Sequence, residues 1–281
     1  MSIRIITDSA SDIEQNELEG VTVIPMNVTI EGVTYRDGID LTKNEFFEKL
    51  ETSEVMPSTS LIPPQIFIDE YEKVKEAGDE AIVLPISAGL SGTYQSAVTA
   101  ADEFDNISVI ETGLVTAPLK LLVVRCKQLI DEGKSRAEIV DIIEKEKKRI
   151  AVFASVDTLK YLHKGGRISK TVAIAGGLLN IKPILTLEDG KLISIGKARG
   201  SKQSHVFLDQ KVKEVGGIDF TMPYATGYSG TDKSKLLEYM EDNANLVNAA
   251  PGEIEIVQIG TAVGTHAGPG AVLVTFFAKN K

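Results

Sequence analysis

The residues of this chain that could do chemistry gather in four segments rich in Gly, Ser, Thr and His. They are Thr7-Asp8-Ser9-Ala10-Ser11-Asp12, Pro57-Ser58-Thr59-Ser60, Ser87-Ala88-Gly89-Leu90-Ser91-Gly92-Thr93, and residues 260–270 around Thr265-His266-Ala267. These are places where a parallel sheet puts its ligands, beyond the carboxyl ends of strands. Ser91-Gly92-Thr93 opens a helical pattern, and the free N–H groups and dipole of a helix start favour an anion. Hydroxyl donors from Thr59 and Ser91, with Ser60 beside them, complete a cradle for a carboxylate or phosphate. His266 differs from His163 and His205, which fall in a basic stretch predicted to be exposed, because its neighbouring glycines let backbone approach a ligand. Taken singly, Ser and Thr at a helix start are caps more often than ligands. Their joint occurrence with a histidine in a glycine-rich loop is what marks a site.

Familiar catalytic patterns are missing. The Ser91 context, Gly-Leu-Ser-Gly-Thr, lacks a glycine required by a nucleophile elbow. Neither a phosphate-loop nor a dinucleotide-binding glycine motif is present. Asp8 and Asp12 have the look of a metal pair, but no histidine cluster accompanies them, and a strand-end turn with a helix cap accounts for both. Two readings of these residues stay open. One is a serine hydrolase acting on an acyl substrate through Ser91 with His266 as base, its third carboxylate unassigned. The other is a regulator that binds phosphate or a small molecule.

The elements that must position these residues alternate in the first half. Residues 3–6, 81–86, 107–110 and 150–154 read as short buried strands, and 21–30 as an extended stretch interrupted at Pro25. Thr42-Lys43-Asn44-Glu45 and Ser135-Arg136-Ala137-Glu138 have capping-box spacing and open helices. Pro63-Pro64 opens another, whose Ile66, Phe67, Tyr71 and Val74 are expected on one face, and a further helix carries Tyr94, Ala97, Val98 and Ala101. Residues 118–130 form an apolar helix. After residue 155 the pattern changes. Glu188-Asp189-Gly190-Lys191 is a hairpin turn, followed by a helix from Ser201, strands at 220–226, 254–259 and 272–277, and a helix around 236–240. The predicted class is α/β: an N-terminal doubly wound parallel-sheet domain over residues 1–155, and a smaller C-terminal α/β domain with a mixed sheet over 156–281. No Pro/Ser-rich linker separates them, so they are expected to pack closely.

Composition excludes several function classes. Across 281 residues, 43% hydrophobic and 25% charged is ordinary globular usage, neither disordered nor fibrous. The single cysteine, Cys126, precludes an internal disulfide or a cysteine-built metal site, and its apolar surroundings predict packing. No apolar run reaches the length of a membrane span and the N-terminus lacks a signal peptide's apolar centre, so a cytoplasmic protein without an integral membrane segment is expected. The net charge of −10 is uneven. Residues 158–207 hold nine basic side chains against two acidic ones, a local +7, and the remainder carries −17. An acidic chain is no general nucleic-acid binder, but this basic stretch suits a phosphate-bearing or acidic partner.

These motifs together resemble the bacterial DegV family. The resemblance rests on Thr7-Asp-Ser-Ala-Ser-Asp12, Gly89-Leu-Ser-Gly-Thr-Tyr-Gln-Ser-Ala97, Thr158-Leu-Lys-Tyr-Leu-His-Lys-Gly-Gly-Arg-Ile-Ser169, Ile181-Lys-Pro-Ile-Leu185 and Gly264-Thr-His-Ala-Gly-Pro-Gly270, in order along essentially the whole chain. It implies a non-enzymatic carrier that buries a long-chain fatty acid such as palmitate between its two domains and has no other cofactor or metal. It places the carboxylate on Thr59 and Ser91, with His266 in the same polar pocket and Ser60, Gly92 and Thr93 around it. It further implies that a separate ATP-dependent fatty acid kinase phosphorylates the presented acid for phospholipid synthesis, with Arg167, Arg199 and Lys202 facing that kinase. Burying about 14 methylenes gains roughly 11 kcal/mol before ordering costs, enough to hold such a chain. Two positions depart from the family pattern: Leu61-Ile62 stands where Gln-Pro is common, and Glu111-Thr112 where a strand usually ends in Asp. Both departures bear on the expected preference for chain length or unsaturation.

Overall fold

Alternation of short apolar strands with amphipathic helices builds the first half of the chain. The computed structural model describes residues 2–169 and 180–279; Lys170 of the basic stretch lies outside them. In chain order the elements are β1 (Ile3–Asp8), β2 (Val21–Ile24), β3 (Asn27–Ile30), β4 (Val33–Arg36), α1 (Lys43–Thr52), β5 (Ser58–Ser60), α2 (Pro64–Glu76), β6 (Glu80–Leu84), α3 (Thr93–Ala101), β7 (Ile107–Val109), α4 (Thr116–Asp131) and α5 (Arg136–Glu146). There follow β8 (Ile150–Ser155), α6 (Lys160–Lys164), β9 (Ile181–Glu188), β10 (Lys191–Arg199), α7 (Gly200–Glu214), β11 (Tyr224–Tyr228), α8 (Ser234–Asp242), α9 (Ala244–Asn248), β12 (Glu255–Gln258), α10 (Thr261–Ala267) and β13 (Val272–Phe277).

Strands β2-β1-β6-β7 form a parallel sheet with both faces covered. Because side chains alternate along a strand, Ile6, Ala81 and Val83 meet α2 and α3 on one face, while Ile5, Ile82 and Leu84 meet α4 and α5 on the other. This is the expected doubly wound arrangement. Both predicted capping boxes are present, with Thr42 accepting from the Glu45 N–H at 3.3 Å and Ser135 from the Glu138 N–H at 3.4 Å. Helix α2 buries Phe67, Tyr71 and Val74 but leaves Ile66 41% exposed, one step off the stripe. Helix α3 turns Thr93, Ser96, Ala97 and Ala100 inward rather than Tyr94 and Val98, since only small residues fit against α2, where the Tyr71 hydroxyl donates to the Ala97 carbonyl.

A second sheet, ordered β10-β9-β8-β13-β11-β12, is mixed. Strand β8 corrects the sequence expectation: it does not extend the parallel sheet but lies antiparallel between β13 and β9, so the change of sheet falls before Ile150. An apolar β8 satisfies either sheet equally by pattern, and its backbone partners come from residues 272–277, more than a hundred positions away. Helix α4 is buried nearly all round because it is shared. Leu119, Leu122, Cys126 and Leu129 belong to one core that includes Ile5 and Ile82 of the first sheet and Val152, Leu273 and Phe277 of the second. Helices α7 and α8 cover the far face of the second sheet through Leu208, Val212, Leu236 and Tyr239. His205 of α7, expected to be exposed, is buried against the Tyr239 ring, with Nδ1 2.7 Å from Asp242 Oδ2.

Two smaller features position the site. Pro25 ends β2, and the chain re-forms as β3 in a three-stranded antiparallel sheet ordered β4-β3-β5, which the sequence pattern treats as loop at residues 57–60. Residues 261–267, expected as a glycine-rich loop, are helix α10. Its one glycine serves close packing: a Cβ on Gly264 would stand 2.8 Å from the Phe47 ring and 2.9 Å from Phe46. The amino end of α10 is held by carboxylates from the first half of the chain. Asp12 Oδ1 accepts from the Gly260 N–H at 2.8 Å, and Asp37 accepts from the N–H groups of Thr261 and Ala262, each at 3.2 Å, and from the Thr261 hydroxyl at 2.7 Å. Asp12 Oδ2 accepts from the Thr116 hydroxyl. Asp8 does what the strand-end reading expects, capping the turn at Ala10 and receiving the Ile86 N–H at 2.7 Å.

Burial pushes the Asp12 carboxyl up to about 6, opposed by Lys43, the Thr116 hydroxyl and the Gly260 N–H; Asp8 is pushed up to about 7, again mainly by burial. A carboxyl that holds its proton more tightly when folded contributes stability that is complete below the unfolded value near 4 and is lost as pH rises through the folded value. Asn in place of Asp12 keeps an acceptor for Gly260 and cannot ionise. The unfolding free energy of the native chain, measured in urea relative to Asp12→Asn, is therefore expected to fall between about pH 4 and pH 6 and to level off above. A difference that is constant or rises over that range contradicts this account.

Candidate functional site

The antiparallel register of β3 with β5 sets Thr59 opposite Val28, pointing it inward while Ser58 and Ser60 on either side stay exposed. Helix α10, seated by Asp12 and Asp37, brings His266 to it: Thr59 Oγ1 and His266 Nε2 are 2.9 Å apart across 207 positions of sequence. The other ring nitrogen, Nδ1, is buried without a hydrogen-bond partner among the described residues. It faces Gly165 so closely that a Cβ there would collide with it. Burial lowers the imidazole pKa to about 4, with the Arg167 charge adding to the effect. His266 is thus neutral at neutral pH, with one N–H to give and one lone pair to receive.

Ser91 lies ahead of α3. Its hydroxyl oxygen accepts from the Thr93 N–H at 3.3 Å and is 2.9 Å from the Thr93 hydroxyl, which in turn accepts from the Ile62 N–H at 3.3 Å. Thr93 is fully buried behind Ser91, and Gly92 is exposed, with the tip of the Leu61 side chain 2.9 Å from where a Cβ would be. The departure at Leu61 therefore supplies an apolar side chain at the rim. At the other departure, Glu111 accepts from the N–H groups of Ala88 and Gly113, bracing the loop that leads to Ser91.

These groups line one cavity, enclosing about 550 Å³ of atom-free space that is partly open to solvent. Thr59, Ser60, Ser91, Arg167 and His266 supply its polar wall. Much of the rest is apolar, including Met26, Ile86, Leu90, Val115, Leu162 and Leu192. The structure thus brings Thr59, Ser60, Ser91 and His266 together from three distant segments, with Gly92 and Thr93 supporting Ser91 from behind. It also brings in Arg167, which was grouped by sequence with Arg199 and Lys202 on a docking face. Arg167 is half-buried in the cavity wall, its Nε donating to the Leu90 carbonyl at 3.1 Å and Nη1 to the Gly165 carbonyl at 2.6 Å. Arg199, the last residue of β10, and Lys202, in the first turn of α7, are exposed away from this wall.

Ser91 and His266 do not form a nucleophile–base pair: the hydroxyl is bonded to Thr93 and the imidazole to Thr59, with no carboxylate on Nδ1. The arrangement offers hydroxyl and imidazole donors to an anion at the edge of an apolar cavity. Asp37 was not legible as part of this site, because an Asp-Gly after a strand reads as a turn and its partner helix begins 224 residues later.

Comparison with known proteins agrees with this architecture. A sequence profile described as "uncharacterised protein, DegV family" matches residues 2–279. A DegV domain-containing protein of Caldanaerobacter subterraneus subsp. tengcongensis is 38% identical over 286 residues, covering 99% of each chain. Among solved structures, a fatty-acid-binding DegV family protein from Thermus thermophilus superposes with a TM-score of 0.87 at 31% identity, covering 99% of this chain and 100% of that one. A stearic-acid-binding protein from Eubacterium ventriosum superposes with a TM-score of 0.83 at 26% identity, covering 98% of each chain. With matching motifs, a matching fold and a match along nearly its full length, this chain belongs to the DegV family.

Proposed function

We propose that this chain binds a long-chain fatty acid in the cavity, with the carboxylate at Thr59, Ser91 and His266, and presents it to a separate ATP-dependent fatty acid kinase. The observation that carries the reading is an apolar cavity edged by a hydroxyl–imidazole cluster in which Thr59 Oγ1 and His266 Nε2 stand 2.9 Å apart. An acid's tail gains on the order of 0.8 kcal/mol for each methylene removed from water, and its head must recover the hydrogen bonds it loses. The Thr59 and Ser91 hydroxyls supply those bonds, with neutral His266 orienting Thr59 through Nε2, while the Arg167 guanidinium, pinned to two carbonyls, supplies positive charge. The fatty-acid ligands of the Thermus and Eubacterium relatives support the same substrate class. Exposed Arg199 and Lys202 support a docking surface for the kinase, in the stretch that is basic against an acidic remainder. On this reading nucleotide, metal and catalysis belong to the partner, whose acyl phosphate product feeds phospholipid synthesis.

Native mass spectrometry of freshly purified protein is expected to show one copurified C14–C18 fatty acid per chain. Replacing Thr59 and Ser91 together by Ala should weaken acid binding by about a hundred-fold or more, since two bonds to a charged group at about 1.5–3 kcal/mol each are lost. A protein that is reproducibly empty or nucleotide-loaded, or a double variant that binds as before, overturns the assignment. Charge reversal at Arg199 and Lys202 should reduce acyl phosphate formation with the kinase while leaving fatty-acid affinity intact, with the loss shrinking at high salt. Loss of affinity in the same variant would place those residues in the pocket.

A further inference from the structure

The β9–β10 hairpin is pressed against the loop that leads to Ser91. The Ser87 hydroxyl donates to the Gly190 carbonyl at 2.7 Å, and a Cβ on Gly89 would collide with that carbonyl. Gly190 has a φ of +71°, and a Cβ there would stand 2.5 Å from Ser87 Oγ, so the turn and its seat require glycine on both sides. Just behind this latch, Leu192 lines the cavity and its neighbour Ile193 lines a separate outer groove. The loop after β7 repeats the arrangement, with Val115 on the cavity and Leu114 on the groove. The backbone of β10 and of the loop before α4 therefore separates cavity from groove, with Leu192 and Val115 on the cavity side. The groove holds charged and hydroxyl groups, Glu111, Lys147, Lys148, Thr186 and Glu188 among them, and does not continue the apolar cavity.

We propose that Leu192 is a specificity-determining residue: with Val115 it stops the hydrocarbon tail of the bound acid. The proposal rests on the fatty-acid reading above. Trimming Leu192 lengthens the apolar cavity toward β10 by the space its side chain vacates, and a larger side chain shortens it. A methylene carried into that space out of water is worth a factor of about four in affinity. The latch fixes the wall in place, because the Ser87–Gly190 bond and the Gly89 contact leave the hairpin tip no room to shift toward the cavity.

The test is a series of saturated acids from C12 to C22, titrated against the native chain, Leu192→Ala and Leu192→Phe. In the native chain affinity should climb with length and then stop. The break should move at least two carbons longer in Leu192→Ala, raising affinity for the first acid beyond the native break about tenfold, and at least two carbons shorter in Leu192→Phe. Photolabelling of the native chain with an acid of break-point length carrying a terminal diazirine gives a second measure, independent of how the variants fold. It should mark residues 114–115 and 191–193. An unchanged break in both variants, or label confined to other segments, overturns the proposal while leaving the fatty-acid reading intact if Thr59→Ala/Ser91→Ala still weakens every acid. Absence of binding by any acid to the native chain overturns both.

Discussion

Two buried carboxylates holding the amino end of one short helix are the interaction on which the rest of the site depends. Asp12 and Asp37 come from the first half of the chain; α10, which carries His266, comes from the last. A helix of 7 residues has little intrinsic stability, and its first N–H groups lack intrahelical partners. Here those groups are satisfied by acids that burial would otherwise disfavour, so each side relieves the other's desolvation. Gly264 lets α10 settle onto Phe46 and Phe47, and the helix then delivers His266 to Thr59. Without that seat the hydroxyl and the imidazole would belong to separate halves of the molecule.

The same economy governs the electrostatics. Charge at the polar wall of the cavity is restrained: burial keeps His266 neutral, and the Arg167 guanidinium is tied to the carbonyls of Leu90 and Gly165. An anion bound there would be held by directed hydrogen bonds more than by a buried ion pair, whose desolvation cost is large. That suits a ligand which must enter and leave as well as stay. His266 Nδ1, buried against Gly165 without a hydrogen-bond partner among the described residues, is a cost that the fold carries.

Much of the local structure was legible in the sequence because its causes are local. The capping boxes at Thr42 and Ser135, the proline start of α2, the Asp189-Gly190 turn and the apolar run of β6 from Ala81 each depend on residues within a few positions. Where the reading failed, the deciding contact was remote. Strand β8 is apolar enough for either sheet, and only β13 and β9 settle which one it joins. Residues 260–270 look like a flexible loop because glycine has low helix propensity; Phe46, Phe47 and Asp37 override that preference. His205 stands among basic residues yet is enclosed by Asp242 and Tyr239, contributed by the next helix.

By itself, the sequence determined the kinds of groups available: hydroxyls at Thr59 and Ser91, an imidazole at 266, apolar strands and helices able to enclose a tail, and a basic stretch in an acidic chain. Tertiary structure decided which of them share a cavity. It moved Arg167 from an expected surface into the cavity wall, paired His266 with Thr59 rather than Ser91, and set Leu192 and Val115 on the cavity side rather than in the groove. The physical reason is that side-chain chemistry and backbone propensity act over a few residues. Proximity between residues 59, 91, 167 and 266 exists only once sheet register and the burial of α10 have closed the intervening chain.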